Sequence, residues 1–341
     1  MDIKQGPTLK DLAEASGLSV ATVSKVLNNR DGASAANRER VLKLAAEMGY
    51  QGRGAKAATP DRLTIVMLDR FVTNNTFYNE IVDGVLQEAA NELVATDVRV
   101  IASATLSVAD IDQLLGEEPS ALVLIGIDRR DITEAVHRSE TPAVIINGMD
   151  RNMHISSVSP DYHFGGWAAT SMLIDLGHRD IVHVTHPHRE SIKRRLDGFR
   201  DALEEAGIEF DPERHVLDLG DPNLVSIEAR ASVERFLKAR DSVPTAFFCV
   251  ADIVALATVQ ALKASGLSVP GDVSVVGFDD LSIGAHSTPP LTTVHIDRQQ
   301  LGRKAVRMLM ERWAQPNAAV ERINMGVRLI SRQSTGAAQE G

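Results

Sequence analysis

The sequence predicts two kinds of structure in one chain, a small all-α head and a large α/β body. In the first 50 residues, three short segments place apolar residues at helical spacing. From Arg62 onward, short apolar runs rich in β-branched residues alternate with helical patterns, which is typical of parallel sheets covered on both faces. Roughly 270 residues are too many for one such sheet, so we predict two doubly wound parallel-sheet subdomains with a cleft between them.

The composition excludes several classes of protein. Of the 341 residues, 44% are hydrophobic and 24% are charged, which is typical of a soluble globular chain. No apolar run reaches the roughly 20 residues that a membrane-spanning helix needs. The N-terminus lacks an apolar signal segment, so we expect a cytoplasmic protein with no membrane partner. The single cysteine, Cys249, cannot form an internal disulfide, and its apolar surroundings favour core packing.

The net charge of −10 is divided unevenly along the chain. Residues 1–58 contain nine Lys or Arg and six Asp or Glu, a net charge of +3, which leaves −13 for the remainder. A basic head on an acidic body favours a DNA-reading module attached to a part that does not touch DNA.

The head is predicted to contain three helices. Thr8 can cap a first helix, and Gly17 provides the tight turn that follows it. Ser19 can cap a second helix, VATVSKVLNN, and a third runs from about Asn37 to Met48. Two short helices joined through a small residue and closed by a third indicate a helix-turn-helix domain, which we place at residues 1–50.

Two segments of the head, TLKDLAEASGLSVATVSKVLNN and NRERVLKLAAEMGY, resemble the headpiece of the LacI/GalR family of repressors. The resemblance implies that the second helix enters the major groove, with Val20, Ala21 and Lys25 at base edges. It also implies phosphate contacts from a set of short polar residues, namely Thr8, Ser19, Thr22, Ser24 and Asn28. The chemistry agrees, because small apolar side chains suit a thymine methyl group, lysine donates to guanine, and hydroxyls suit phosphate oxygens. The alternative is a small helical bundle in which the serines act only as caps.

The linker, residues 51–61, departs from the family pattern. The family has a hinge helix here whose leucine wedges into the minor groove. This chain has QGRGAKAATP, in which two glycines disfavour helix and Thr59 stands at the wedging position. We expect Arg53 and Lys56 to contact phosphates or the minor groove instead. The stretch also matches G-x-G-x-x-A, but it follows a helix rather than a strand, which argues against a dinucleotide site.

Several body segments resemble the periplasmic-binding-protein-like effector domain of the same family, among them NTFYNEIVDGV, PDYHFGG, LGHRDI, RRLDGFRDAL, SVVGFDD and PPLTTVHID. The resemblance implies two subdomains joined by three crossovers, which we place near Asp161, Leu291–Thr293 and Met325. The predicted ligand-binding and dimerisation domain covers residues 62–333, with subdomain one at about 62–161 and 292–324, subdomain two at about 162–291 and 325–333, and a tail at 334–341.

The carboxyl ends of parallel strands form the ligand-binding edge of such sheets, and here they carry Asp69, Asp128, Asp161, Asp252 and Asp279. Carboxylates accept hydrogen bonds from vicinal hydroxyls, and an arginine fork donates two in return. The resemblance implies ligand contacts at Arg195, Asp279, Asp161, Tyr162 and the aromatic pair Phe77 and Tyr78. The predicted ligand site therefore contains Phe77, Tyr78, Asp128, Asp161, Tyr162, Arg195, Asp252 and Asp279.

Simple structural roles are the alternative for several of these residues: Asp279 could cap a turn, Phe77 could belong to the core and Arg195 could form a surface ion pair. An alanine stands where the family has an asparagine beside the ligand, so the polar pattern of the pocket is unusual. The predicted pocket has more acids than bases, which argues against an anionic ligand unless Arg129, Arg130 and Arg195 converge. A neutral mono- or disaccharide is the first prediction, and a nucleobase or nucleoside is the second.

Motifs for catalysis and metal binding are missing from the sequence. There is no G-x-S-x-G elbow, no G-x-x-x-x-G-K-[ST] loop and no cysteine pair. His183, His186 and His188 lie close together, but Pro187 breaks any helix there, so we predict no metal and no cofactor. Paired acids in the cleft could mimic a glycosidase. The body alone could belong to a periplasmic sugar receptor, which would need an export signal and no basic head.

We therefore predict a transcriptional repressor rather than an enzyme. A homodimer would present two recognition helices to a pseudo-palindromic operator in double-stranded DNA. A small-molecule effector, a sugar by preference, would control that binding allosterically from the cleft. The sequence carries no heptad tail after RLISRQST, which favours a dimer over a tetramer.

Overall fold

The computed structural model describes residues 8–27, 33–48, 59–72, 76–117, 119–186, 189–220 and 225–339. The chain divides into two compact units, a head that ends near Pro60 and a body that begins at Asp61. Among the described residues, no helix is both long and apolar enough to span a membrane.

Three helices form the head: α1 (Leu9–Ser16), α2 (Val20–Leu27) and α3 (Ala35–Glu47). Thr8 caps α1 in a capping box, because its side chain accepts from the Asp11 N–H while the Asp11 carboxylate accepts from the Thr8 N–H. Gly17, with a φ of 66°, ends α1 in the left-handed conformation. The third helix begins before the predicted Asn37, because the Ser34 hydroxyl accepts from the Asn37 N–H. The small core consists of Leu12, Ala13, Val23, Val26 and Val41.

The first subdomain of the body is a six-stranded parallel sheet flanked by helices. Its strands are β1 (Arg62–Leu68), β2 (Ala95–Ile101), β3 (Ala121–Ile125), β4 (Ala143–Ile146), β5 (Ser156–Pro160) and β11 (Arg322–Met325), in the order β11-β5-β4-β3-β1-β2. Its helices are α4 (Thr76–Asn91), α5 (Val108–Leu115), α6 (Arg130–Arg138) and α13 (Arg298–Ala314). The central strand β3 is buried along its whole length, as its uninterrupted apolar sequence predicts.

The second subdomain is a four-stranded parallel sheet. Its strands are β6 (Ile181–Thr185), β7 (Val216–Asp218), β8 (Ala246–Cys249) and β9 (Ser274–Val276), in the order β7-β6-β8-β9. Its helices are α7 (Tyr162–Asp175), α8 (Glu190–Glu205), α9 (Pro212–His215), α10 (Val225–Lys238), α11 (Asp252–Ala264) and α12 (Ser282–Ala285). The all-α head and these two wound parallel sheets confirm the predicted fold class.

The chain changes subdomain at three places. The first is Asp161, whose N–H donates to the Met325 carbonyl where β5 and β11 end side by side. The last follows β11, since the next strand, β12 (Arg328–Ile330), pairs with β10 (Thr293–His295) instead. His295 of β10 and the preceding Thr292 bridge in turn to Asp279 and Val276 of the second subdomain, so the middle crossover falls after β10, a few residues beyond the predicted position. The predicted tail packs along the same sheet, because Ser334 is buried and donates to the Val275 carbonyl.

Helices α7 and α8 cross at very short range, and this contact positions the amino-terminal half of α8. A Cβ atom on Gly198 would lie 2.0 Å from the His163 carbonyl oxygen, and one on Gly166 would lie 2.3 Å from the Arg195 carbonyl oxygen. Only glycine allows the two backbones to approach so closely. The backbone of Arg195 is thereby packed directly against α7.

Candidate functional site

Arg195 is the centre of a nearly fully buried cluster in the second subdomain. Its guanidinium carbon lies 4.4 Å from the ring centre of Tyr162 and 4.1 Å from that of Phe278, so the cation is stacked against two aromatic rings. One nitrogen donates to the Val250 carbonyl at 2.6 Å, and another lies 3.6 Å from a carboxylate oxygen of Asp279. The surface ion pair considered for Arg195 is therefore not what the structure shows.

Two atoms of this cluster are buried without a hydrogen-bond partner among the described residues: Nε of Arg195 and Oδ1 of Asp279. One is a donor and the other an acceptor, and leaving such groups unsatisfied costs about 1–3 kcal/mol each. Burial raises the pKa of Asp279 to about 6, although Arg195 and Arg298 both oppose the rise. The arrangement can accommodate a polar ligand group that donates and accepts at the same time.

Arg189 is a second arginine at this site; it is half-buried, and it was not predicted. It stands at the N-cap position of α8 in the second subdomain, but its side chain donates to the first subdomain: to the Tyr78 hydroxyl at 3.1 Å and to the carbonyls of Asn147 at 3.1 Å and Gly126 at 3.4 Å. Its guanidinium also lies 5.4 Å from the ring centre of Phe71. This one side chain therefore bridges the cleft between the subdomains.

Asn147 connects the same bridge to the Arg195 cluster. Its amide donates to the Tyr78 hydroxyl at 2.9 Å, and its side-chain oxygen accepts from the Tyr162 hydroxyl at 2.6 Å. Asn147 and Arg189 each follow the carboxyl end of a strand, which is the rule that selected the aspartates. That rule would have found both residues if it had included polar side chains other than carboxylates.

The predicted aromatic pair, Phe77 and Tyr78, belongs to an aromatic cluster in the first subdomain. Tyr78 stacks on Phe71 with ring centres 4.1 Å apart, and Phe77 meets Tyr78 edge to face at 5.0 Å. All three rings are buried. The cluster thus contains the predicted Phe77 and Tyr78, together with Phe71, which the sequence analysis missed.

The predicted aspartates have different environments. Asp128 is half-buried beside Arg189 and Arg151, and burial raises its pKa against their attraction. Asp161 caps α7 by accepting from the Phe164 N–H at 3.1 Å. Asp69 is exposed and accepts from the Ser103 N–H.

Asp252 is fully buried, and the protein already holds both of its carboxylate oxygens. The Thr293 hydroxyl donates to Oδ1, and the Leu281 N–H donates to Oδ2, each at 2.6 Å. Burial, with the nearby Asp279 carboxylate, raises the pKa of Asp252 to about 7. These contacts connect α11 to the segments on either side of α12.

Arg129 and Arg130, which would have to lie beside Arg195 to bind an anionic ligand, do not do so. Arg129 pairs with Asp131, and Arg130 pairs with Glu134, on the exposed surface of α6. The second cation at this site is instead the half-buried Arg189.

A small cavity of about 70 Å³ adjoins the Arg195 cluster. It is lined by Asp161 and Tyr162 at the crossover and by Glu190, Ser191 and Arg194 at the start of α8. This volume is well below the roughly 300–1,000 Å³ of typical small-molecule sites, so the cavity alone could not hold a sugar in this arrangement of the subdomains.

On the head, α2 separates an apolar face from an exposed one. Val23 and Val26 are buried, whereas Ala21 and Lys25 are exposed, as is 44% of Val20. The Ser19 side chain accepts from the Thr22 N–H at 3.1 Å, so it caps α2 as predicted. Of the remaining predicted contacts, Thr8 is exposed and Ser24 is half-buried, whereas Asn28, Arg53 and Lys56 lie outside the described residues.

His183 lies in the core of the second subdomain. Its ring stacks on Phe248 with ring centres 4.5 Å apart, and Nδ1 bonds the Phe248 carbonyl. Burial lowers its pKa to about 3, so the ring is neutral near pH 7. His188 lies outside the described residues, and the part of the chain that is described holds no metal-binding group of three His, Cys, Asp or Glu.

Comparisons with known proteins agree with this division. Residues 8–52 match the family model for bacterial regulatory proteins of the lacI family, and residues 170–335 match that for a periplasmic binding protein-like domain. The HTH-type transcriptional repressor CytR of Escherichia coli strain K12 is 30% identical over 337 residues, covering 97% of this chain and 96% of CytR.

Solved structures agree as well. A complex of the transcriptional regulator CelR with cellobiose superimposes with a TM-score of 0.73 at 28% identity, covering 96% of this chain and 99% of CelR. A lac repressor dimer bound to operator and the anti-inducer ONPF superimposes with a TM-score of 0.71 at 25% identity, covering 98% of this chain and 100% of the other.

Proposed function

Because the chain belongs to the lacI family of bacterial regulatory proteins, we propose that it is a transcriptional repressor controlled by a small ligand in the body cleft. It binds a pseudo-palindromic operator as a homodimer, and it performs no catalysis of its own. The observation that carries the ligand site is the buried pair of Arg195, which lies against two aromatic rings, and Asp279, because each has one buried polar atom without a hydrogen bond among the described residues.

A neutral mono- or disaccharide fits this pair. A sugar hydroxyl can accept from Arg195 and donate to Asp279 in the same contact, and aromatic rings suit the apolar faces of a sugar. Asp128 and Tyr78 offer further polar groups from the opposite subdomain. The structural relative that carries cellobiose supports this class of ligand.

A nucleobase or nucleoside is the second candidate, and Arg189 is the observation that favours it. A flat heterocycle could stack on the Phe71 and Tyr78 rings while its carbonyl accepts from the Arg189 guanidinium. The same aromatic and cationic groups would hold a saccharide less fully, since a sugar presents no flat π surface.

The head supplies the DNA contacts in this proposal. Val20, Ala21 and Lys25 lie on the exposed face of α2, where they can reach base edges in the major groove. Thr8, Ser19, Thr22 and Ser24, with Asn28, Arg53 and Lys56 beyond the described residues, provide the backbone contacts. Phosphate contacts of this kind set register and carry no sequence information.

A homodimer is supported by exposed apolar side chains on the second subdomain. Ile253 is 38% exposed and Ile283 is 55% exposed. They begin α11 and α12, which the Asp252–Leu281 hydrogen bond joins. A second copy of the chain could bury this surface by two-fold symmetry, as an operator with two half-sites requires.

Control by the ligand requires that it bind one arrangement of the subdomains more tightly than the other. Arg195 and Asp279 belong to the second subdomain, whereas Tyr78 and Asp128 belong to the first. A ligand that contacts both groups favours one arrangement and thereby shifts affinity for operator, and the coupling is reciprocal.

A thermal-shift screen tests the proposal. The full chain is heated with D-ribose, D-galactose, D-cellobiose, adenosine or cytidine, and the active compound is then tested with Arg195→Ala and with the exposed neighbour Lys193→Ala. We expect the rise in Tm to disappear in Arg195→Ala and to persist in Lys193→Ala. An equal rise in all three proteins would place the ligand elsewhere, and consumption of the compound would indicate an enzyme.

A further inference from the structure

The turn that carries Asp279 has an unusual backbone. Asp279 has a φ of 110° and Asp280 a φ of 54°, so two successive residues with side chains adopt left-handed conformations. Such residues cost of order 1–3 kcal/mol each and persist only where surrounding contacts hold them. The orientation of the Asp279 carboxylate against Arg195 therefore depends on whatever holds this turn.

Arg298 is the residue that reaches both backbone carbonyls of the turn. It begins α13, is almost fully buried, and donates to the carbonyl oxygens of Asp279 and Asp280. The same guanidinium forms a fork with Glu80 on α4, with N···O distances of 2.9 and 3.2 Å. One side chain thus joins the turn of the second subdomain to two helices of the first.

The other contacts of α13 with α4 show that this link is specific to Arg298. Arg303 donates to Gln87 at 2.9 Å, and Arg307 forms an ion pair with Glu88 at 2.6 Å. Both join the same pair of helices. Among the described residues, neither of these two arginines forms a hydrogen bond with Asp279 or Asp280.

The carboxylate of Asp280 holds the other end of the turn. It accepts from Arg332 at 2.6 Å and bonds the ring of His295 at 2.8 Å. These contacts fix the side chain of Asp280, whereas Arg298 fixes the carbonyls. Without Arg298, the Asp279 carbonyl would lose its side-chain donor while Asp280 remained anchored.

We propose that Arg298 is a positioning residue for the ligand site: it holds the strained Asp279–Asp280 turn and ties the Asp279 carboxylate to α4. The role of the turn in ligand binding rests on the proposed function. The role of Arg298 in holding the turn does not. Through Glu80, Arg298 also connects the turn that carries the Asp279 carboxylate to α4, the helix that carries Phe77 and Tyr78.

Hydrogen exchange of the full chain tests the turn without any ligand. The N–H groups of Asp279 and Leu281 donate to Val294 and to Asp252, so exchange across residues 277–283 reports whether the turn holds. We expect at least tenfold faster exchange in Arg298→Gln and wild-type exchange in Arg307→Gln, which removes another α13–α4 ion pair. If Arg298→Gln does not fold, Arg298→Lys, which keeps the charge but cannot form the fork, should show an intermediate increase. Wild-type exchange in either Arg298 variant, or an equal increase in Arg307→Gln, would overturn the proposal.

Calorimetric titration with D-cellobiose and D-ribose tests the consequence for binding. For a sugar that binds the wild-type chain, we expect Kd to rise at least tenfold in Arg298→Gln and to stay unchanged in Arg307→Gln. Unchanged affinity in Arg298→Gln would refute the link to the ligand site. If neither sugar binds the wild-type chain, the proposed ligand class fails, and the exchange result alone decides the role of Arg298.

Discussion

Asp252 allows the electrostatics of the body to be tested by one isosteric change, Asp252→Asn. The carboxyl group is fully buried and its ordinary pKa is 3.8. Burial, with the neighbouring carboxylates of Asp279 and Asp280, raises this pKa to about 7, although the hydrogen bonds from Thr293 and Leu281 oppose the rise. We predict that Asp252→Asn removes a pH dependence of stability that the wild-type chain possesses.

The sign and size follow from proton binding. The folded chain binds the Asp252 proton more tightly than the unfolded chain, so the free energy of unfolding rises as the pH falls from above 7 towards 4. A single proton changes this free energy by at most about 1.4 kcal/mol per pH unit. When the pH is lowered from 8 to 5, Asp252 therefore raises the free energy of unfolding of the wild-type chain by about 2 to 3 kcal/mol.

Urea unfolding of wild type and Asp252→Asn between pH 5 and pH 8 measures this effect. Titratable groups shared by the two proteins largely cancel in the difference between their free energies. The exposed Asp272, whose pKa the Ser268 hydrogen bonds lower, provides the control, because Asp272→Asn should give a flat difference over this range. A flat difference for Asp252→Asn as well would refute the raised pKa.

Three further changes test the packing, the assembly and the DNA contacts. Gly198→Ala places a Cβ 2.0 Å from the His163 carbonyl, so we expect a loss of about 3 kcal/mol in thermal unfolding, whereas Gly326→Ala, with open space around it, should be close to neutral. Ile283→Glu puts a charge on the exposed apolar surface, and sedimentation should show a dimer becoming a monomer; an unchanged dimer would place the interface elsewhere. Lys25→Ala should weaken binding to a selected operator by roughly 1–3 kcal/mol, and an equal loss on random DNA would make Lys25 a backbone contact.

The parts of the fold that depend on local pattern could be predicted from the sequence. The buried strand ALVLI at β3 follows from its unbroken apolar run, and the cap at Thr8 follows from a short polar residue before a helical pattern. The position of the middle crossover could not be predicted in the same way. β10 has only three residues, and it lies beside the second sheet because His295 and the preceding Thr292 bridge to Asp279 and Val276, not because of its own sequence.

The candidate site likewise contains residues that the sequence predicted and residues that it did not. Arg195 and Asp279 were predicted because their motifs resemble a known family, whereas Arg189 and Asn147 were missed because the strand ends were searched only for carboxylates. Arg298 was missed for another reason. It begins a helix and reads as an ordinary surface cation, but it is almost fully buried because the turn and α4 both close over it. Burial of a charge depends on tertiary packing and not on local sequence.

Arg189 at the beginning of α8 and Arg195 within it differ in a way that constrains the ligand. Arg195 makes its contacts within its own subdomain, to Val250, Tyr162 and Phe278, and its Nε remains without a hydrogen-bond partner among the described residues. Arg189 is satisfied by the opposite subdomain, through Tyr78, Asn147 and Gly126. A compound that contacted only Arg195 and Asp279 would bind both arrangements of the subdomains equally and could not shift the equilibrium between them. An effective ligand must therefore also contact the first subdomain or Arg189. It must be large enough to reach them and must carry a second polar group for that contact, or its binding will not change the affinity for operator.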